Sequence, residues 1–267
     1  MPDVLVEKND YIGTVTLNRP DRMNTISGAM LSEFSQALIE MNADPDVRVI
    51  VITGAGRGFC AGLDLQDQQD GKGFDTSGSD GGVGQTAATI DLRDAPPIVL
   101  HNVDKPTICA LNGGAAGYGM DLALGCDIRI ASDAAKMSAA FTKRGVIPES
   151  GGTWLLPKIV GWSLASEIMF TGRKLSAEEC LSYGIVNRVV PADQLMIAAN
   201  ELAAEIAANA PLAVQATKRM MRMAQAESFD ANIHHVFLQL LPLFRTKDFG
   251  EGIAAFLEKR DPKFQGR

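Results

Sequence analysis

The sequence has no long apolar run at its start and no excess of basic charge, and each absence excludes a class of protein. The first residues, MPDVLVEKND, carry charges early, so we predict neither a signal peptide nor a membrane anchor. The chain has 25 basic and 32 acidic residues, a net charge of -7, which argues against a nucleic-acid partner. We therefore expect a cytoplasmic protein that binds neither a membrane nor a nucleic acid.

Cysteine is also scarce, and its spacing excludes the common cysteine motifs. Cys60, Cys109, Cys126 and Cys180 stand alone, without the close pairs that zinc sites and redox motifs use. We expect them to be buried thiols of a protein in a reducing compartment.

The apolar residues that are present predict an α/β fold. With 267 residues, 46% of them hydrophobic and 21% charged, the chain can bury a sizeable core. VLVEKNDYIGTVTLN predicts a hairpin, and the uninterrupted run VRVIVITG predicts a strand buried on both faces. TICALNG and CDIRIAS repeat that pattern, whereas the helical spacing after Ser27 predicts a helix capped by that residue.

Two segments depart from this alternation of strands and helices. Residues 66–89 are rich in Gly, Ser, Asp and Gln, which predicts a long, mobile loop. Beyond Ala192 the pattern is almost entirely helical, with a helix opening at Pro211. We therefore divide the chain into a mixed core, residues 1–191, and a helical region, residues 192–267.

Two glycine-rich segments follow predicted buried strands and are the candidates for chemistry. GAGRGFCAGLDL lacks the glycine spacing of a dinucleotide-binding fingerprint, but its glycines leave backbone amides free to face a ligand. In LNGGAAGYGMDLALGCD, a buried helix is expected to begin near Tyr118 or Gly119, with unpaired amides at its first turn. Together, the two segments predict an oxyanion hole.

Four blocks of the sequence resemble the crotonase (enoyl-CoA hydratase/isomerase) superfamily. They are GRGFCAGLDL, AAGYGMDLALGCDIRIAS, IPESGGTWLLPKIVG and TGRKLSAEECLSYGIVNRVVP, in the family order. The resemblance implies a spiral of ββα units with a C-terminal helical trimerisation region, as a homotrimer or a dimer of trimers. It also implies an acyl-CoA thioester substrate, with coenzyme A as part of the substrate, and no metal or redox cofactor.

The resemblance also assigns roles to individual residues. The oxyanion-hole donors fall on the backbone N–H groups of Leu63 and Tyr118. The positions that contact coenzyme A fall on Arg22, Asn24, Ala61 and Asp64. The long loop after Asp64 lies where relatives cover the acyl chain, so we expect it to act as a lid.

The acid–base positions are where this sequence departs from the hydratases that it resembles. Their first water-binding glutamate aligns with Asp121 and their second with Phe141, which cannot transfer a proton, so the two-glutamate water site is incomplete. Glu149 aligns with the carboxylate that related isomerases use as a base. Phe141 and Trp154 are expected to form the acyl pocket and to raise the pKa of Glu149.

Each of these two carboxylates also has a structural interpretation. Glu149 could lie in a surface turn or near the start of the following helix, where negative charge is favourable. Asp121 in the first turn of a helix is favourable for the same reason, and it could orient Glu149 rather than react. Our functional hypothesis is an enoyl-CoA isomerase. The alternatives are a 2-enoyl-CoA hydratase of fatty-acid β-oxidation and a catalytically silent acyl-CoA-binding homologue.

Overall fold

The structure, a computed structural model, describes residues 2–64 and 92–267. The loop predicted over residues 66–89 lies outside the described residues. Strands and helices alternate along most of the described chain, which confirms the predicted α/β class.

A six-stranded sheet forms the larger of two sheets. Its strands, in spatial order, are β1 (Val4–Asn9), β2 (Ile12–Leu17), β3 (Val49–Gly54), β5 (Thr107–Leu111), β7 (Ile128–Ser132) and β10 (Arg188–Val190). β1 and β2 pair antiparallel as the predicted hairpin, and the remaining neighbours are parallel. Every residue of β3 and β5 is buried, as their continuous apolar sequences predict for strands covered on both faces.

Four short strands form a second sheet. In spatial order they are β4 (Gly58–Cys60), β6 (Gly114–Ala116), β8 (Lys136–Ser138) and β9 (Lys174–Ser176). The chain passes from the larger to the smaller sheet three times, from β3 to β4, from β5 to β6 and from β7 to β8. This repeat confirms the spiral of ββα units.

Six helices belong to the described part of residues 1–191. They are α1 (Gly28–Ala43), α2 (Pro96–Asn102), α3 (Tyr118–Gly125), α4 (Gly152–Val160), α5 (Trp162–Thr171) and α6 (Ala177–Ser182). α1 begins where its cap predicts, since the Ser27 hydroxyl accepts a 3.1 Å hydrogen bond from the Met30 amide. Its apolar face packs into the main core through Phe34, Leu38 and Met41. α3 begins at Tyr118 and is buried along most of its length, as predicted.

The chain after β10 is helical, as predicted. Its α-helices are α7 (Leu195–Ala207), α8 (Pro211–Met223), α9 (Phe229–Leu243) and α10 (Lys247–Glu258). On α7, Ala199 and Ala203 pack against Val51 and Ile108 of the larger sheet, where small side chains allow close approach of helix and sheet. The division of the chain at residue 191 stays a prediction.

Helices α9 and α10 carry large apolar side chains that this single chain leaves uncovered. Phe237 is 57% exposed and Phe256 is 84% exposed. Within residues 2–64 and 92–267, no helix has the length and hydropathy needed to cross a bilayer.

Candidate active site

A cavity of about 420 Å³ lies where the turn at residues 20–25, the end of β4 and the start of α3 meet. It is lined by Asp21, Arg22, Met23, Thr25, Ala61, Gly62, Leu63, Asp64, Ala116, Gly117, Tyr118, Ala140, Phe141, Arg144 and Val146. Six of the residues that the sequence nominated are among them, so segments far apart in the chain form one site. Within the described residues, Glu149 and Asp121 lie outside this lining.

The two predicted oxyanion donors lie on neighbouring segments at the cavity. Gly62 has a positive φ of +89°, and a Cβ added there would lie 2.7 Å from the Ala116 carbonyl oxygen and 3.7 Å from the Tyr118 amide nitrogen. Only glycine allows this approach, which brings Leu63 close to the start of α3.

Within residues 2–64 and 92–267, both of these amides lack a hydrogen-bond acceptor. The Ile26 amide donates to the Gly62 carbonyl over 2.9 Å, and Ile26 pairs with Leu63 as an isolated parallel bridge. Neither the Leu63 nor the Tyr118 N–H has an acceptor within the part of the chain that the structure describes. Tyr118 opens α3, so its N–H is one of the amides that a helix leaves unpaired. The pair is suited to binding an oxygen that develops negative charge.

Asp121 is buried one helical turn after Tyr118, with 1% of its surface exposed. Its Oδ2 accepts hydrogen bonds from the Ser150 hydroxyl (2.9 Å) and the Gly152 amide (3.0 Å). Its Oδ1 has no partner among the described residues. Burial raises the pKa of Asp121 to about 7, against these hydrogen bonds, and the negative charge of Glu149 adds to the increase.

The two glycines of PESGG have separate physical reasons, the backbone conformation at Gly151 and the packing against Asp121 at Gly152. Gly151 has a φ of +106°, a conformation that other residues rarely adopt. A Cβ on Gly152 would overlap with the Asp121 carboxyl group, since it would lie 2.7 Å from Cγ and 2.8 Å from Oδ2. The segment from Ser150 to Gly152 therefore fits closely around Asp121.

Glu149 immediately precedes this segment and remains accessible to solvent. The protein around it still excludes part of the water, and this partial burial raises the pKa of Glu149. Its charge also helps to raise the pKa of both Asp121 and Tyr118. Glu149 is thus close enough to the start of α3 for electrostatic interaction with it.

Arg22 and Asp64 form an ion pair at the cavity, with 3.3 Å between Nε and Oδ2. The same carboxylate accepts a 3.0 Å hydrogen bond from the Thr25 hydroxyl and lies 3.4 Å from the Arg19 guanidinium. Arg19 was not among the predicted site residues, although it stands only three residues before Arg22. Asp64 therefore fixes a cluster of basic side chains beside the candidate oxyanion hole.

Asn24 is absent from the described lining of the cavity, and its predicted contact with coenzyme A stays a prediction. Asn24 is fully buried, and its side-chain oxygen accepts a 2.8 Å hydrogen bond from the Arg19 amide. Its amide group donates to the carbonyls of Ala55 (3.0 Å) and Gly58 (2.8 Å). Both polar atoms of its side chain are committed to the fold, so the Asn24 side chain supports the cavity from behind its described lining.

Trp154 is also absent from the described lining of this cavity, and its predicted place in the acyl pocket stays a prediction. Trp154 lies on α4 and is 44% exposed. Its ring packs edge-on against His101, with 5.4 Å between centroids, and Lys158 Nζ lies 4.3 Å above it. Phe141 does line the cavity, and a Cβ on Gly117 would lie 3.8 Å from its ring. Of Phe141 and Trp154, only Phe141 belongs to the described lining of the cavity.

Comparisons with known proteins identify the family of the chain. A sequence model of the family described as enoyl-CoA hydratase/isomerase matches residues 7–267. The chain is 38% identical to 1,2-epoxyphenylacetyl-CoA isomerase of Escherichia coli, over 98% of this chain and 97% of that protein. It is 36% identical to (E)-benzylidenesuccinyl-CoA hydratase of Thauera aromatica, over 98% and 99%.

A solved structure gives the same result for the fold. The crystal structure of enoyl-CoA hydratase from Bacillus anthracis matches with a TM-score of 0.88 and 32% identity, covering 99% of this chain and 100% of that one. The chain therefore belongs to the enoyl-CoA hydratase/isomerase family, whose enzymes act on acyl-CoA thioesters.

Proposed function

We propose that this enzyme is an enoyl-CoA isomerase, which shifts a double bond in an unsaturated acyl-CoA with Glu149 as its base. The observation that carries the proposal is Phe141, a buried phenyl ring in the cavity wall where the second water-binding glutamate of a hydratase is expected. With no carboxylate at that position, a pair of acids cannot hold a water molecule between them there. One base is sufficient for a 1,3-proton shift, because it removes a proton from one carbon and returns it to another.

The thioester oxygen gains negative charge when the proton leaves. In the proposed reaction, Glu149 takes the proton, the resulting dienolate oxygen accepts hydrogen bonds from the amides of Leu63 and Tyr118, and Glu149 then returns the proton. Each such donor contributes roughly 3 kcal/mol to transition-state stabilisation in acyl-transfer enzymes. The raised pKa of Glu149 supports its role, since a base works best when its pKa lies near the working pH.

The reaction as proposed needs no metal or redox cofactor, since coenzyme A enters with the substrate. Arg22, Ala61 and Asp64, which line one side of the cavity, are the proposed contacts of the coenzyme A moiety. We also propose that the chain assembles as a homotrimer or a dimer of trimers. The uncovered apolar side chains of α9 and α10 support an interface there.

A 2-enoyl-CoA hydratase is the second candidate. It is favoured by the pKa of about 7 at Asp121, which suits a group that both gives and takes protons, and by the relatives named hydratases. In that mechanism Asp121 and Glu149 would share the water molecule that Phe141 cannot hold.

The two reactions differ in one spectroscopic test. The purified protein is incubated with a 3-enoyl-CoA or a 2-enoyl-CoA while the absorbance of the conjugated thioester is followed. An isomerase makes the absorbance rise from the 3-enoyl substrate. Loss of absorbance from the 2-enoyl substrate alone would instead support the hydratase. Binding of both with no change in either would support a silent homologue.

A further inference from the structure

We propose that Asp121 is a positioning residue, which holds the segment carrying Glu149 against helix α3. The inference deepens the proposed function, because it rests on Glu149 acting as the base of that same site. It assigns the buried carboxyl group no proton transfer of its own.

Among the described residues, the hydrogen bonds to the Asp121 carboxyl group come from the segment after Glu149. Ser150, the residue next to Glu149, donates its hydroxyl hydrogen bond to Asp121 Oδ2 and is itself only 4% exposed. The Gly152 amide donates to the same oxygen, so two contacts fix the segment on either side of Gly151. A Cβ on Gly152 would overlap with the Asp121 carboxyl group, so the backbone of this segment packs directly against it.

Asp121 lies on the same helix, α3, as Tyr118, whose amide is a proposed donor of the oxyanion hole. Tyr118 and Asp121 are three residues apart on α3, so the backbone of one helical turn fixes their separation. Asp121 therefore ties the position of the Glu149 backbone to that of the Tyr118 amide. A proton shift needs both relationships at once, since the base must reach a carbon while the amide binds the thioester oxygen.

A direct acid–base role does not fit the surroundings of Asp121. A general base must come within hydrogen-bond reach of the substrate. Asp121 is 1% exposed and is absent from the described lining of the cavity, and its Oδ1 lies against Gly152. Both carboxyl oxygens are thus enclosed by the segment that they hold.

The test compares Asp121→Ala, Asp121→Asn and Ser150→Ala with the wild type and with Glu149→Gln. Asparagine keeps one oxygen that can accept both hydrogen bonds, whereas alanine keeps none. We expect Asp121→Ala to lower kcat at least 100-fold with KM changed less than threefold, and Asp121→Asn to recover activity to within tenfold of wild type. Ser150→Ala removes one of the two bonds and should fall between them.

Two kinetic results would overturn the proposal. If Asp121→Asn were as inactive as Glu149→Gln, Asp121 would transfer a proton. If Asp121→Ala kept wild-type kcat, the contact would position nothing. If Asp121→Ala fails to fold, kcat is compared between Asp121→Asn and Ser150→Ala. Positioning requires Ser150→Ala to lose more activity than Asp121→Asn, and the opposite order would overturn it.

Crystal structures of the variants separate this inference from the proposed reaction. In Asp121→Ala we expect Glu149 to move by more than 1 Å relative to the Tyr118 amide, and in Asp121→Asn to stay in place. That displacement requires no assay, so it would support positioning even if the wild type moved no double bond. A Glu149 that stays in place in both Asp121→Ala and Ser150→Ala would refute positioning, whatever the enzyme catalyses.

Discussion

The amide of Gly152 donates a 3.0 Å hydrogen bond to the Asp121 carboxylate, and the same carboxylate occupies the space in which a side chain at residue 152 would begin. The contact joins the start of α4 to the first turn of α3. It gives a physical reason for the glycine and for the aspartate, and it lies next to Glu149, the base of the proposed reaction.

Substituting Gly152→Ala should lower kcat by about 100-fold, because the added methyl group overlaps with the Asp121 carboxyl group and displaces Glu149. Gly28→Ala is the matched control, since nothing lies within 4 Å of a Cβ there and Gly28 is helical. In an Asp121→Ala background the overlap is gone, so adding Gly152→Ala should cost little more. Steady-state kinetics of the four variants measure this, and strictly additive losses would contradict the contact.

The pH dependence of stability should report the burial of Asp121. Its pKa rises from 3.8 to about 7 on folding, so the neutral form favours the folded state. This stability is fully present below pH 4 and is lost as the pH rises through 7, by on the order of 4 kcal/mol. Asp121→Asn does not titrate, so its free energy of unfolding should rise relative to wild type between pH 4 and 8. Urea unfolding measures both free energies. A difference between Asp121→Asn and wild type that stays constant from pH 4 to 8 would contradict the raised pKa of Asp121.

Tyr118 should matter through its amide and not through its ring. Tyr118→Pro removes the N–H at the first position of α3, where proline is tolerated, and should lower kcat by about 10²–10³-fold. Tyr118→Phe removes only a buried hydroxyl that has no partner in the described residues, so kcat should change little. Circular dichroism checks that both variants fold. Equal kcat for the two variants would exclude the Tyr118 amide from the oxyanion hole.

Substitutions of Asn24 and Arg22 should affect different properties, the free energy of unfolding for Asn24 and acyl-CoA binding for Arg22. Asn24→Ala leaves the Arg19 amide and two carbonyls without their partner, so the free energy of unfolding should fall by about 3 kcal/mol. Arg22→Ala should lower stability less than Asn24→Ala, because Asp64 keeps its contacts with Thr25 and Arg19, and it should weaken acyl-CoA binding by about tenfold, since it removes one charge from the cavity. Thermal unfolding and calorimetric titration with a saturated acyl-CoA measure both. A tenfold loss of binding in folded Asn24→Ala would support its predicted contact with coenzyme A, and unchanged binding would refute that contact.

The elements of the fold were predictable because local signals and burial agree in them. Ser27 caps α1 and the apolar run of β3 is buried throughout, as expected from cap chemistry and from hydrophobic runs. The assignment of the oxyanion donors to Leu63 and Tyr118 came from the family resemblance and stays a prediction, whereas the sequence itself indicated only that these two segments hold free amides. Glycine-rich turns after buried strands leave N–H groups free, whichever side chains they carry.

The sequence says least about residues whose surroundings come from distant parts of the chain. Asn24 was expected to bind coenzyme A, but its partners Ala55 and Gly58 lie more than thirty positions away in the sequence. Trp154 was expected in the acyl pocket, but the neighbour of its ring is His101, on α2. The role of Gly152 was likewise hidden, because only the tertiary structure brings Asp121 against it.

The most direct test of the account is proton transfer by Glu149. Wild type, Glu149→Gln and the control Glu201→Gln, an exposed glutamate on α7, are each incubated with a 3-enoyl-CoA in D₂O. Mass spectrometry and absorbance follow deuterium uptake and the conjugated thioester. We predict that wild type and Glu201→Gln move the double bond and take up deuterium. Glu149→Gln should do neither while still binding the acyl-CoA. Double-bond migration by Glu149→Gln at the wild-type rate would contradict the account.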